Sequence, residues 1–365
     1  MRKIFLSFIL ITGVFISGYS QGCVEPLGGS SDGAKIIGYL QPQFDYHFYG
    51  KSSSGKSLDQ STFKFNRARI GVAGSIPYDV EYYVLLEASP NAYGHPYLLD
   101  AFVSYTRLGP YARFSLGSFK SPISLELNTP CNALYTINRS MVVDELTPNR
   151  DLGFMVLGST DTLNLFGLQT VNLFKYSLSV SNGTGVLGLD NNNGKTYSGR
   201  VVFTPWKHLS LGASYLFGKY KAADPSATQD DEKSRYGFDA EFKYGNLLIQ
   251  GEYLHGDDKG SYTVGGGCGS TPEIRTGSVL RDGYFVMAAY STPWNLQPVV
   301  KFETYDPNKD AASNTDRQNI ITFGLNYFLN DWTRIQLNYL YKAEETAAVE
   351  KPNDCILLQV QVKIK

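Results

Sequence analysis

The sequence has almost no net charge: 33 Lys and Arg stand against 34 Asp and Glu, a formal balance of -1. A chain so balanced has no electrostatic pull toward nucleic acid, whose binding rests on neutralising phosphates. Residues that build metal sites and nucleophiles are also scarce. The four cysteines, Cys23, Cys131, Cys268 and Cys355, are far apart and lack C-x-x-C spacing. The four histidines, His47, His95, His208 and His255, are scattered. No H-E-x-x-H occurs. "GGGCGS" at 265–270 follows no strand-to-helix pattern and reads as loop rather than phosphate cradle. No cofactor or metal is expected. Beyond Ser20, no apolar run is long enough to cross a membrane as a helix.

The N-terminus carries what the rest lacks. Arg2 and Lys3 give a basic start, Ile4 to Ile16 an apolar run, and Gly18 and Ser20 a small-residue exit. This is the pattern of a signal peptide over residues 1–20, cleaved after Ser20. Lipidation of Cys23 is the rival reading. Residues 21–35 then form a short N-terminal segment and 36–365 a single domain. An exported chain can oxidise its cysteines, and four of them allow three pairings.

Aromatics and glycine are abundant, with 26 Tyr, 21 Phe and 36 Gly. They sit in segments of period two. In "YGFDAEFKYG", Phe238, Ala240, Phe242 and Tyr244 share one face, while Gly237, Asp239, Glu241 and Lys243 share the other. Such alternation marks half-buried strands. About sixteen segments of this kind run from 36–48 to 354–365, most of about nine to twelve residues, the length a tilted strand needs to cross a bilayer. Their connections alternate short and long. Tight links such as Leu108-Gly109-Pro110 and Asn330-Asp331 face long polar ones near 49–61, 119–150, 182–195, 220–233, 257–281, 307–317 and 344–353. The pattern predicts an all-β fold, a transmembrane antiparallel β-barrel of about sixteen strands. One link, "TDTLNLFGLQT" at 160–170, is longer than a tight turn and partly apolar.

Aromatics near the ends of the apolar faces, among them Phe44, Tyr46, Tyr105, Tyr176, Tyr215, Tyr290, Tyr327 and Tyr339, fit girdles at two membrane interfaces. A charge facing lipid costs about 2–4 kcal/mol at mid-bilayer. Arg67, Arg69, Arg113, Lys175, Arg200, Lys243, Lys301, Arg334 and Lys363 are therefore expected inside. So are Asp45, Glu81, Glu87, Asp100, Asp239, Glu241, Glu252 and Glu303. A charged interior of mixed sign predicts a water-filled pore rather than a packed core, and sixteen strands is about the size at which a barrel leaves a channel. Phe63 and Phe65 are out of phase with Ala68 and Ile70, so a bulge is expected near Asn66.

A segment of roughly thirty residues after "RFSLGS" shows no strand signal, and loops that long are usually functional or disordered. Here the motifs "GSFKSPISLE", "NRS" and "NRDLGFMVLGS" appear in order, accompanied by "FNRARIGVAG", "SVSNGTG", "SGRVVFTP" and "ITFGLNYFLNDWTRIQLNYLY". The set resembles the phosphate-selective porin O and P family of outer-membrane proteins. The resemblance implies a sixteen-stranded barrel, usually a homotrimer, among the lipids of a Gram-negative outer membrane. It implies passive diffusion of small ions and solutes, with a phosphate or polyphosphate preference in some members. It also implies that the third loop, Phe119 to Arg150, folds into the pore. On that basis Lys120, Glu126, Arg139, Arg150 and Asp151 are candidates for the constriction, and Arg67, Arg69, Asp100, Arg113, Arg200, Lys301 and Arg334 for the pore lining. The alternative role of the constriction charges is to tie the loop to the wall. Competing functions are a non-conducting structural or adhesion barrel, plugged by the third loop and 257–281, and a barrel-embedded Ser–His hydrolase.

Overall fold

The alternating segments pair edge to edge until the last meets the first. The computed structural model describes residues 33–364 apart from 91–92, 162, 166–167, 171, 223, 225–226, 228, 265–272, 311–316 and 345–351. The signal peptide, Cys23 and Cys268 lie outside the described residues. The strands are β1 (Gly33–His47), β2 (Gln60–Ile76), β3 (Val80–Glu87), β4 (Tyr97–Tyr105) and β5 (Arg113–Lys120). Two short helices follow, α1 (Leu125–Asn128) and α2 (Met141–Leu146). Next come β6 (Arg150–Ser159), β7 (Leu163–Leu165), β8 (Leu168–Thr170), β9 (Phe174–Ser181), β10 (Thr196–Trp206), β11 (Leu209–Tyr220) and β12 (Asp231–Tyr244). The chain ends with β13 (Leu247–Val264), β14 (Glu273–Tyr290), β15 (Leu296–Asp306), β16 (Gln318–Phe328), β17 (Thr333–Glu344) and β18 (Cys355–Ile364). Sixteen of the strands form a closed antiparallel barrel in which β1 pairs with both β2 and β18. Closure leaves no edge to recruit another chain. β7 and β8 make a separate hairpin inside the 160–170 link, which accounts for its length.

Many barrel strands have a polar buried face and an apolar exposed one. On β12, Arg235 and Asp239 are buried while Tyr236, Phe238 and Tyr244 are exposed. On β17, Arg334, Gln336 and Asn338 are buried while Leu337, Tyr339 and Tyr341 are exposed. The buried set hydrogen-bonds the third loop, so it faces the lumen. Of the aromatics expected in the girdles, Tyr105, Tyr215, Tyr290, Tyr327 and Tyr339 are exposed on the outer face.

The bulge near Asn66 is present. Gln41 opposes Arg67 and Pro42 opposes Phe65, which leaves Asn66 as the extra residue. Pro42 has no N–H to give the ladder at that point, and the extra residue restores the phase. Phe63, Phe65, Ile70 and Val72 all end exposed on the outer face.

Two expectations change. Residues 257–264 and 273–281, read as one long loop, are strand: β13 and β14 pair continuously from Leu247–Tyr290 to Val264–Glu273. Their outer parts, such as "DDKGSYTV", have no apolar face, so no alternation announces them. The interior is also not uniformly charged. Leu216, Leu248, Leu254, Phe285, Met287, Ala289, Val299 and Tyr305 form a buried apolar patch with Ile123, Leu127, Val142, Val143 and Leu146 of the third loop. A second apolar cluster joins Ala73, Tyr83, Leu85 and Leu99 on β2 to β4.

Candidate functional site: the inserted third loop

Residues 121–149 leave β5 and return to β6 by way of the lumen. The turn into the loop is sharp: Ser124 has φ of 70°, and its hydroxyl accepts from Leu127 N at 3.0 Å, starting α1. Such a hydroxyl satisfies one of the free N–H groups of a first turn. α2 begins at Ser140. Val142, Val143 and Leu146 share one side of this turn, as helical spacing requires, and pack on the apolar wall of β13 to β15. Gly283 of β14 permits this approach. A Cβ there would stand 2.9 Å from Val142 Cγ2 and 2.3 Å from Thr304 O.

On the same side, wall carboxylates meet the N-terminal ends of both helices. Glu252 accepts from Leu125 N at 3.2 Å and Glu126 N at 3.0 Å. Glu303 accepts from Met141 N at 3.4 Å. Carboxylates are favoured there because the first N–H groups of a helix have no internal partner.

On the opposite side the wall mostly donates and the loop backbone mostly accepts. Arg334 Nη1 donates to Leu134 O at 3.0 Å, Arg67 Nη1 to Ile137 O at 3.3 Å, Asn326 to Tyr135 O at 2.9 Å, and Gln361 to Asn132 O at 3.1 Å. Asn338 accepts from Ile137 N at 2.8 Å. The loop carbonyls are thus paired, as buried backbone groups must be.

The five constriction candidates are all buried. Lys120 Nζ donates to Leu127 O at 2.7 Å and Thr129 O at 3.3 Å. Arg139 donates to the carbonyls of Glu126, Leu127 and Thr129 at 3.1–3.4 Å. Glu126 accepts from both Ser140 N and Ser140 Oγ, at 2.6 and 2.7 Å, and lies 3.8 Å from Lys301 Nζ. Arg150 grips Asp100 with two contacts of 2.8 and 3.2 Å at the foot of the loop. Asp151 accepts from Leu152 N and Gly183 N, tying β6 to the turn after β9.

The lining candidates split by partner. Arg69 pairs with Glu87 at 2.7 Å, Arg113 with Glu81, Arg200 with Asp239, and Lys301 with Glu303 at 2.9 Å. Arg67 and Arg334 hold carbonyls and amide oxygens instead, Gln41 and Gln361 among them. Sequence reasoning missed the neutral polar residues that complete this side: Gln41, Asn326, Asn338 and Gln361. A run of Gln and Asn at inward positions of β1 and β16 to β18 was the available signal.

Cys131 sits where the cations converge. Its Sγ accepts from Arg139 Nη2 at 3.2 Å and Arg69 Nη1 at 3.3 Å. Burial by itself would push this thiol up, but Arg139, Arg69, Arg67 and Lys120 together hold it well below the usual value. Cys131 and Cys355 are both free and buried.

Solved structures with this architecture include channels. An anion-selective porin from Comamonas acidovorans is 13% identical, with a TM-score of 0.65 over 92% of this chain and 100% of that one. The trimer form of OmpT, an outer-membrane protein of Vibrio cholerae, is 14% identical, with a TM-score of 0.59 over 91% and 100%. The outer-membrane channel DcaP of Acinetobacter baumannii is 13% identical, with a TM-score of 0.59 over 91% and 97%. No curated protein sequence matches. A family model described as phosphate-selective porin O and P matches residues 38–229 and 223–364, nearly all of the described barrel. With that match across the whole ring of strands, the chain belongs to the phosphate-selective porin O and P family.

Proposed function

We propose that this porin is a water-filled channel for passive diffusion of small ions and solutes, working as a homotrimer in the outer membrane of a Gram-negative bacterium after export through its signal peptide. The observation that carries the reading is a closed barrel, apolar outside and polar inside, whose one long inserted loop is fastened to the wall rather than free. A fastened loop narrows a pore to a constant bore. The trimer form of the Vibrio OmpT and the family match favour the assembly. The chemistry is that of a channel rather than of an enzyme.

A weak anion preference fits the wall of β2 and β17, where Arg67 and Arg334 are held by neutral oxygens rather than carboxylates. Rings of basic side chains attract anions in this way. Lys120, Arg139 and Arg150, with Glu126, shape the constriction in this reading by holding the loop, and Asp151 does so by tying β6, where the loop ends, to the turn after β9. A sealed structural barrel is the weaker reading, because much of 257–281, one of its two plugging segments, is sheet.

Reconstitution in planar bilayers tests the proposal. Discrete conductance steps are expected, and their absence would overturn it. Chloride current that phosphate does not reduce, with no anion preference in the reversal potential, would remove the anion preference alone.

A further inference from the structure

The charges of the third loop divide into those the protein uses and those it leaves to water. Among residues 121–149 only Ala133, Asp144, Glu145 and Asn149 are exposed. The loop's other ionic side chains, Glu126 and Arg139, are buried and hydrogen-bonded to loop atoms. α2 rests on the wall through Val142, Val143 and Leu146, so Asp144 and Glu145 project from its other side.

We propose that Asp144 is the specificity-determining charge of the channel, a carboxylate presented to passing ions that holds down the anion preference of the wall carrying Arg67 and Arg334. This rests on the diffusion-channel reading above.

The ionic groups around it support that role. Arg139, Glu126, Arg67 and Lys301 all act on Asp144 through space. The other lumen-facing ionic groups of the elements that carry α2 are engaged. Glu252 on β13 holds the start of α1, Asp258 on β13 lies 3.4 Å from Arg281 on β14, and Glu303 on β15 lies 2.9 Å from Lys301. Glu145 acts through space on Tyr305 of β15. Fixed charges act on mobile ions over about a Debye length, roughly 10 Å at 0.1 M salt, which spans a narrowed lumen.

Asp144 reaches water on its own surface yet lies inside the barrel. The surrounding protein pushes its carboxyl up to about 6, helped by Glu126 and opposed by Arg139, Arg67 and Lys301. Lowering the pH from 8 to 5 therefore moves it from the charged toward the neutral form. Anion preference is expected to rise on acidification.

The experiment is reversal potential in a KCl gradient, at pH 8 and pH 5, for wild type, Asp144→Asn and Glu145→Gln. Wild type should shift toward anions between pH 8 and pH 5. Asp144→Asn should show the acid value at both pH values, and Glu145→Gln should keep a wild-type pH response. A loop merely loosened by substitution would alter conductance and noise, not remove the pH response. Normal conductance steps with wild-type reversal potentials in Asp144→Asn at both pH values would overturn this inference alone. Absence of steps in the wild type would overturn the channel reading with it.

Discussion

The two sides of the lumen hold the third loop by different mixtures of apolar contact and hydrogen bonding. Toward β13 to β15 the loop buries side chains, Val142, Val143 and Leu146 lying against Leu254 and Phe285, while Glu252 and Glu303 take the first amides of its two helices. Toward β1, β2 and β16 to β18 it offers backbone, taken up by Arg67, Arg334, Asn326, Asn338 and Gln361. Apolar burial is strong but non-directional, so on its own it would let the loop slide. Hydrogen bonds contribute little net energy each, yet leaving a buried partner unpaired is expensive, so they fix position. The first side is richer in attraction and the second in register. The wall charges that look like solute contacts in a sequence serve the second purpose in large part.

Three substitutions break this comparison at different points. The largest effect is expected at the foot of the loop. Arg150→Met leaves Asp100 buried without its partner and should cost about 3–5 kcal/mol, read as a fall in the urea midpoint of the folded barrel. Adding Asp100→Asn should recover most of it; no recovery would mean that the pair is not the cause. Leu254→Ala attacks the apolar side. A loss of about 2–5 kcal/mol is typical of such truncations, and single-channel records should become noisier as α2 loosens. Quiet records at wild-type stability would show that the patch does not anchor the loop. Arg334→Met attacks the polar side and removes the bond to Leu134 O. Bonds to charged groups contribute about 1.5–3 kcal/mol, so its midpoint should fall least. If instead it exceeds Leu254→Ala, the division of labour is reversed.

Much of the barrel is legible in the sequence because its physics is local. Phe238, Ala240 and Phe242 alternate with Asp239 and Glu241 whatever lies across the sheet, and Asn66 breaks the phase within a few residues. The upper parts of β13 and β14 escaped because they have no apolar face to alternate. α1 and α2, of four and six residues, are too short to display a helical period. The fastening of the loop was hidden for another reason. That Gln41 meets Gln361 depends on which distant strands closure brings together, and that Arg139 meets three carbonyls rather than an acid depends on how the loop folds back on itself. Charge alone says that Lys120 wants oxygen, and carboxylate, carbonyl and solute all offer it.

The fastenings also set a clock. They join Gln361 to Asn132, Arg334 to Leu134 and Asn338 to Ile137, across 229, 200 and 201 positions. β17 and β18 lie far from the loop along the chain, and contacts so distant in sequence form late. Until the final seam between β1 and β18 is made, these three supports of the loop are not in place. In a refolding time course, the amide of Ile137 should become protected from exchange after those shared by β2 and β3; earlier protection would refute this order. A half-made barrel is then a wide hole, and narrowing is the mark of a finished one.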